Sequence, residues 1–144
     1  MATPGEFWRE ACAAVPALPA EASFQVWHFG DGAELARSLA DLVLHGPKRA
    51  TAGLLWDADA DPSAMPNLGV YSVVTDHHGA PLMVLRTASV EIRAFRDVDA
   101  AFAAAEGEGD RSLEYWRRAH WKYFSRRCEA LGRVPDEDMP VILE

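Results

Sequence analysis

Residues 70–95 constrain the fold most. VYSVVTD and LMVLRTASVEIRAF are dense in β-branched and aromatic side chains, and HHGAP between them has turn chemistry. The segment predicts a strand over 70–76, a hairpin turn, and a long strand bent near Ser89. Segments with helical rather than strand periodicity flank it. DGAELARSLADLVLHG carries Leu35, Leu39, Leu42 and Val43 on one stripe, with Asp31 as N-cap, Glu34 three residues later as in a capping box, and Gly46 as the stop. DRSLEYWRRAHWKYFSRRCEALG carries Leu113, Trp116, His120, Phe124, Cys128 and Leu131, with Asp110 or Ser112 as cap and Gly132 as terminator. Strands in the middle and helices on either side predict an α+β fold.

The remaining elements are smaller. PGEFWREACAAV reads as a helix from Pro4 that turns Phe7, Cys12 and Val15 inward and ends at Pro16 and Pro19. RATAGLLW reads as a strand, DADADPSAMPNLG as an acidic loop, and DVDAAFAAAEGEG as a short helix closed by glycines. FQVWHF and the terminal PVILE are minor strand candidates.

A length of 144 residues suits one core. No run of eighteen apolar residues predicts a membrane span, and Glu6, Arg9 and Glu10 break the order of a secretory leader, so a cytoplasmic protein is expected. Cys12 and Cys128 lack metal-site spacing, which predicts idle thiols. The DHHG turn and the aspartates at 57, 59 and 61 lack the further ligands of a metal or calcium site. Neither a metal nor another cofactor is expected.

The net charge of -8 opposes binding to a long polyanion. Residues 111–133 nevertheless hold seven basic side chains against two acidic ones, a local basic face. Arg117, Arg118, Lys122 and, at the earlier helix exit, Arg49 are candidate phosphate contacts. Trp116, Trp121 and Tyr123 are potential stacking surfaces for unpaired bases, although Trp116 lies on the apolar stripe and packing explains it as well. His120, one turn further along that stripe, fits a hydrogen-bonded core histidine. His120, Ser112 and Trp116 are therefore supporting rather than reacting candidates.

The junction HGPKRATAGLLW places Lys48 and Thr51 three residues apart, where a straight strand would point them to opposite faces. They converge only if the chain turns between them. A helix exit explains both without chemistry, because a cation suits a helix C-terminus and threonine suits a strand.

Three stretches, FGDGAELARSLADLVLHGPKRATAGLLW, LGVYSVVTDHHGAPLMVLRTASVEIRAF and VDAAFAAAEGEGDRSLEYWRRAHWKYF, together resemble the ASCH domain family of the PUA-like superfamily. The resemblance implies a small, partly open β-barrel flanked by helices, an ASCH (PUA-like) domain over residues 23–144 preceded by a helix and Pro-rich lead-in over 1–22. It also implies association with single-stranded RNA or a modified nucleoside, as a ribonuclease or as an N4-acetylcytidine amidohydrolase. The amidohydrolase pattern maps onto Lys48, Thr51 and Glu106: threonine as nucleophile, lysine taking its proton, glutamate shuttling it to the leaving amine. A module that binds RNA or a nucleotide without turnover is the non-catalytic alternative, and an interaction domain that kept only the fold is the blandest.

Three departures accompany the resemblance. Gly53 replaces an expected serine, Gly69-Val70 replaces Gly-Asp, and the chain ends early at MPVILE. A short last strand predicts an open sheet edge, to be covered, left blunt, or paired with a second copy in a homodimer.

Overall fold

The computed structural model describes every residue from Met1 to Glu144. The element order is α1 (Pro4–Ala14), β1 (Phe24–Trp27), α2 (Ala33–His45), β2 (Ala52–Leu54), α3 (Leu55–Ala60), β3 (Tyr71–Thr75), β4 (Pro81–Arg86), β5 (Glu91–Ala94), α4 (Ala100–Glu106), α5 (Leu113–Leu131) and β6 (Pro140–Leu143). The class is α+β, with five helices and two three-stranded sheets, neither of them a closed barrel. No helix is long and apolar enough to cross a membrane. Two compact units make up the chain, one of residues 1–45 and 68–88, the other of residues 46–67 and 89–144.

The first unit holds the sheet β1-β3-β4, with β1 parallel to β3 and β4 antiparallel to it. The β3–β4 hairpin turns where expected, because the Asp76 carboxylate accepts from the backbone N–H groups of His78 and Ala80, each at 2.9 Å, and Gly79 takes φ +92°. Thr3 and Glu6 cap α1 reciprocally and Pro4 opens it. Its buried side chain is Trp8, whose ring lies 5.2 Å from Phe24 and 5.4 Å from Tyr71. That corrects the expected inward face, since Val15 is exposed and Phe7 and Cys12 are only half-buried. In α2 the fully buried positions are Ala36 and Ala40, which allow close approach, while Leu39 and Val43 pack beside a core of Phe29, Val74 and Met83.

The second unit holds the antiparallel sheet β2-β6-β5. The terminal strand is thus the centre of its sheet rather than an open edge, and β2 and β5 are the edges. The expected long strand is two strands in different sheets, β4 in the first unit and β5 in the second. Residues 87–90 make the break, and a β-branched run does not encode such a change of partner. The expected acidic loop is also corrected: α3 begins directly after β2, and Asp57 on it receives a bidentate contact from Arg127 of α5 at 2.8–3.1 Å.

Helices α4 and α5 follow the sequence closely. Asp99 caps α4 by accepting from Phe102 N–H at 2.9 Å, and Ser112 caps α5 by accepting from Tyr115 N–H at 3.0 Å. Gly107 and Gly132, each at φ +69°, end them in the left-handed conformation. The α5 stripe buries Trp116, His120, Phe124 and Cys128 against Leu54, Phe95, Met139 and Val141.

Candidate active site

Lys48 is the unexpected member of this core, because only 1% of it is exposed. Lysine reaches that depth only when its charge is matched. The backbone that holds it is fixed on both sides. Arg49 N–H donates to Ala105 O at 2.8 Å, while Thr51 and Glu144 exchange two backbone hydrogen bonds of 2.9 Å. The chain therefore turns between positions 48 and 51, leaving one to the α4 terminus and one to the β6 ladder.

The Lys48 amine donates to acceptors from three places in the chain. They are Ala50 O at 2.8 Å, Glu106 O at 3.4 Å and Glu108 Oε2 at 3.0 Å, with Glu106 Oε2 at 3.9 Å. Since α4 ends at Glu106, its last carbonyl and this cation also match in dipole sense. Glu106 lies as deep as Lys48, and its other neighbour is His120, with Nε2 2.9 Å from Oε2. That contact is close in distance but poorly aligned, so neither carboxylate oxygen receives a well-directed hydrogen bond. His120 Nδ1 lies 2.9 Å from Trp116 O, one turn back, and its ring stacks on the Trp116 indole at 4.2 Å and 14°. The Trp116 indole N–H is itself buried without an acceptor.

Electrostatics divide the two carboxyls. Burial alone pushes Glu106 upward, but contact with His120, its positive charge, Glu108 and Lys48 overcome this and hold it at about 2. Burial, followed by the adjoining Glu106, lifts Glu108 to about 7. Burial works against a charged His120, yet the contact with Glu106 and the charges of both glutamates raise it above its ordinary value. The cluster thus holds Glu106 low and Glu108 high, two neighbouring carboxyls of unlike acidity.

The structure thus brings Lys48, Glu106 and His120 together and adds Glu108, which the sequence reading passed over. No hydrogen bond joins the half-buried Thr51 to Lys48 or Glu106 through its hydroxyl. The Arg49 guanidinium donates to Lys48 O at 2.6 Å and Gly46 O at 3.2 Å, which braces the turn. Arg117 donates to Arg96 O at 3.4 Å and lies about 60° around α5 from His120. Arg118 and Lys122 fall roughly opposite His120 on the exposed face, where Arg118 sits 4.0 Å from Glu114. Ser112 serves as a helix cap and Trp116 as core and ring partner. The donor atoms of Glu106, Glu108 and His120 lie within 4.8 Å of one another, a set that could face a metal ion. The Lys48 ammonium already supplies positive charge at that point.

The family description ASCH domain matches residues 25–144, most of the chain and all of this site. The chain belongs to the ASCH domain family. That family is PUA-like and generally RNA-binding. Among solved structures, the ASCH domain from Lactobacillus crispatus JV V101 is 34% identical with a TM-score of 0.85, covering 97% of this chain and 90% of that one. A protein from Enterococcus faecalis V583 is 29% identical with a TM-score of 0.80, covering 95% and 82%. No curated protein matches the chain.

Proposed function

We propose that this ASCH protein is a hydrolase of single-stranded RNA, with Lys48, Glu106 and His120 at its reaction centre and Arg117 beside it for phosphate. The burial of a complete ionic cluster carries the reading. Buried ion pairs stabilise folds poorly compared with apolar packing, whereas reaction centres need fixed charge and carboxyls of unlike acidity. A module that only binds RNA has no need of that arrangement.

Thr51 favours RNA over an acetylated nucleoside. An amidohydrolase needs a prepared nucleophile, and no hydrogen bond links the Thr51 hydroxyl to a base. RNA brings its own nucleophile: the 2′-oxygen attacks phosphorus, the P–O5′ bond breaks, and a 2′,3′-cyclic phosphate and a 5′-hydroxyl result. Lys48 gives the cluster a fixed positive charge that can offset part of the extra charge on phosphorus in the transition state.

The test incubates purified protein with single-stranded RNA and, separately, with N4-acetylcytidine, comparing wild type with Lys48→Met. RNA cleavage lost in the variant is expected. Deacetylation would transfer the site to the amidohydrolase reading, tight RNA binding without product would leave a binding module, and inactivity without binding would sink all three.

A further inference from the structure

We infer that Glu108 is a catalytic residue of this site, the general acid that protonates the departing 5′-oxygen. The assignment rests on the ribonuclease reading above. It starts from the backbone. Three of the five residues after α4 have positive φ: Gly107 at 69°, Gly109 at 57° and Arg111 at 66°. A Cβ on Gly107 would lie 2.8 Å from the Lys48 backbone nitrogen and the Pro47 carbonyl carbon, and one on Gly109 would lie 2.5 Å from the Tyr115 ring. Arginine rarely accepts a left-handed backbone, and Arg111 is held there by its N–H donation to Glu108 O at 2.9 Å and by its guanidinium on Ala104 O at 3.1 and 3.2 Å. Glycine takes such angles freely, so the strained residue is Arg111 alone, and the two close glycine approaches with this one strained residue fix the turn that carries Glu108.

The result of that turn is the placement of Glu108. An ordinary helix exit would release it to solvent; here its carboxyl turns back to Lys48 at 3.0 Å, next to Glu106. It also has the site's best access to solvent, with 17% of its side chain exposed against 1% for Lys48, 1% for Glu106 and 9% for His120. Protons exchange with the cluster most directly there. Glu106 is sealed between Lys48 and His120, which suits an anchor rather than a shuttle.

The charged groups facing Glu108 are Lys48 from the turn before β2, Glu106 from α4 and His120 from α5. Together with burial they leave a substantial neutral fraction of Glu108 at pH 7. In the reaction, the 2′-hydroxyl proton passes to solvent as the O2′–P bond forms. The P–O5′ bond breaks, its electron pair stays on O5′, and the Glu108 proton goes to that oxygen. Glu108 then recovers a proton from solvent.

The experiment compares wild type, Glu108→Gln and Glu108→Asp on two substrates across pH 5–9, with thermal melts confirming folding. One substrate is an RNA dinucleotide with an alkoxide leaving group. The other is uridine 3′-(4-nitrophenyl phosphate), whose leaving group needs no proton. Glu108→Gln should lose about 10²–10⁴-fold on the dinucleotide, keep near wild-type rates on the nitrophenyl ester, and lose the fall in rate that wild type shows above pH 7. Glu108→Asp should recover part of the dinucleotide rate. Equal losses on both substrates, or no loss on the dinucleotide, would overturn the assignment while leaving the ribonuclease reading intact. A wild type inactive on both would overturn both.

Discussion

Gly107 tests the geometry one residue at a time. It shares φ +69° with Gly132, but a Cβ at 132 would meet nothing while one at 107 would meet the backbone of Pro47 and Lys48. Gly132→Ala should cost about 1–2 kcal/mol, the ordinary left-handed penalty. Gly107→Ala should cost clearly more, measured by urea unfolding, and equal costs would show that the close approach has no weight. Gly53, one of the three departures from the family pattern, has open space about its Cβ position. Gly53→Ser should therefore be tolerated or stabilise by up to about 1 kcal/mol.

Among elements, α5 carries both capping and chemistry. Ser112→Ala removes the acceptor for Tyr115 N–H and should cost about 1 kcal/mol in the same unfolding assay, with His120 more than two helical turns further along α5. This helix was legible in the sequence in its buried stripe and terminating glycine, and its cap to one of two residues, because each rests on local chemistry or a 3.6-residue period. The strands were less so. Nothing in LMVLRTASVEIRAF announces that its halves join different sheets, and PVILE is too short to advertise that it pairs on both sides. Lys48 and Glu106 were found by resemblance, whereas their contact depends on a turn that no period encodes. Glu108 was missed because a glutamate after a helix-ending glycine looks like a solvated charge. The signal was the Glu-Gly-Glu sequence itself, two carboxylates bracketing a residue able to turn the chain back.

For the whole molecule, the cluster sets an uncommon pH dependence. Glu108 and His120 have raised folded values, so folding takes up protons between the ordinary glutamate value of 4.5 and about 7 or above. Stability from these two groups is present at low pH and is lost as pH rises through their folded values. Glu106 acts in the opposite sense, its contribution present above 4.5 and lost as pH falls toward 2. Melting temperature should therefore peak near pH 5 and decline toward pH 8, and Glu108→Gln should flatten that decline. A melting temperature that rises steadily from pH 5 to 8 would contradict these assignments.

The proposal that the substrate supplies its own nucleophile separates RNA cleavage from every other reading of the site. An otherwise 2′-deoxy single strand carrying one ribonucleotide tests it most directly, with the products identified by mass. The expected result is a single cut after the ribonucleotide, leaving a 2′,3′-cyclic phosphate, with no cut in the all-deoxy strand and none by Lys48→Met. Cleavage at deoxy positions, or an intact chimera under conditions where all-ribose RNA is degraded to products without cyclic phosphate, would contradict it.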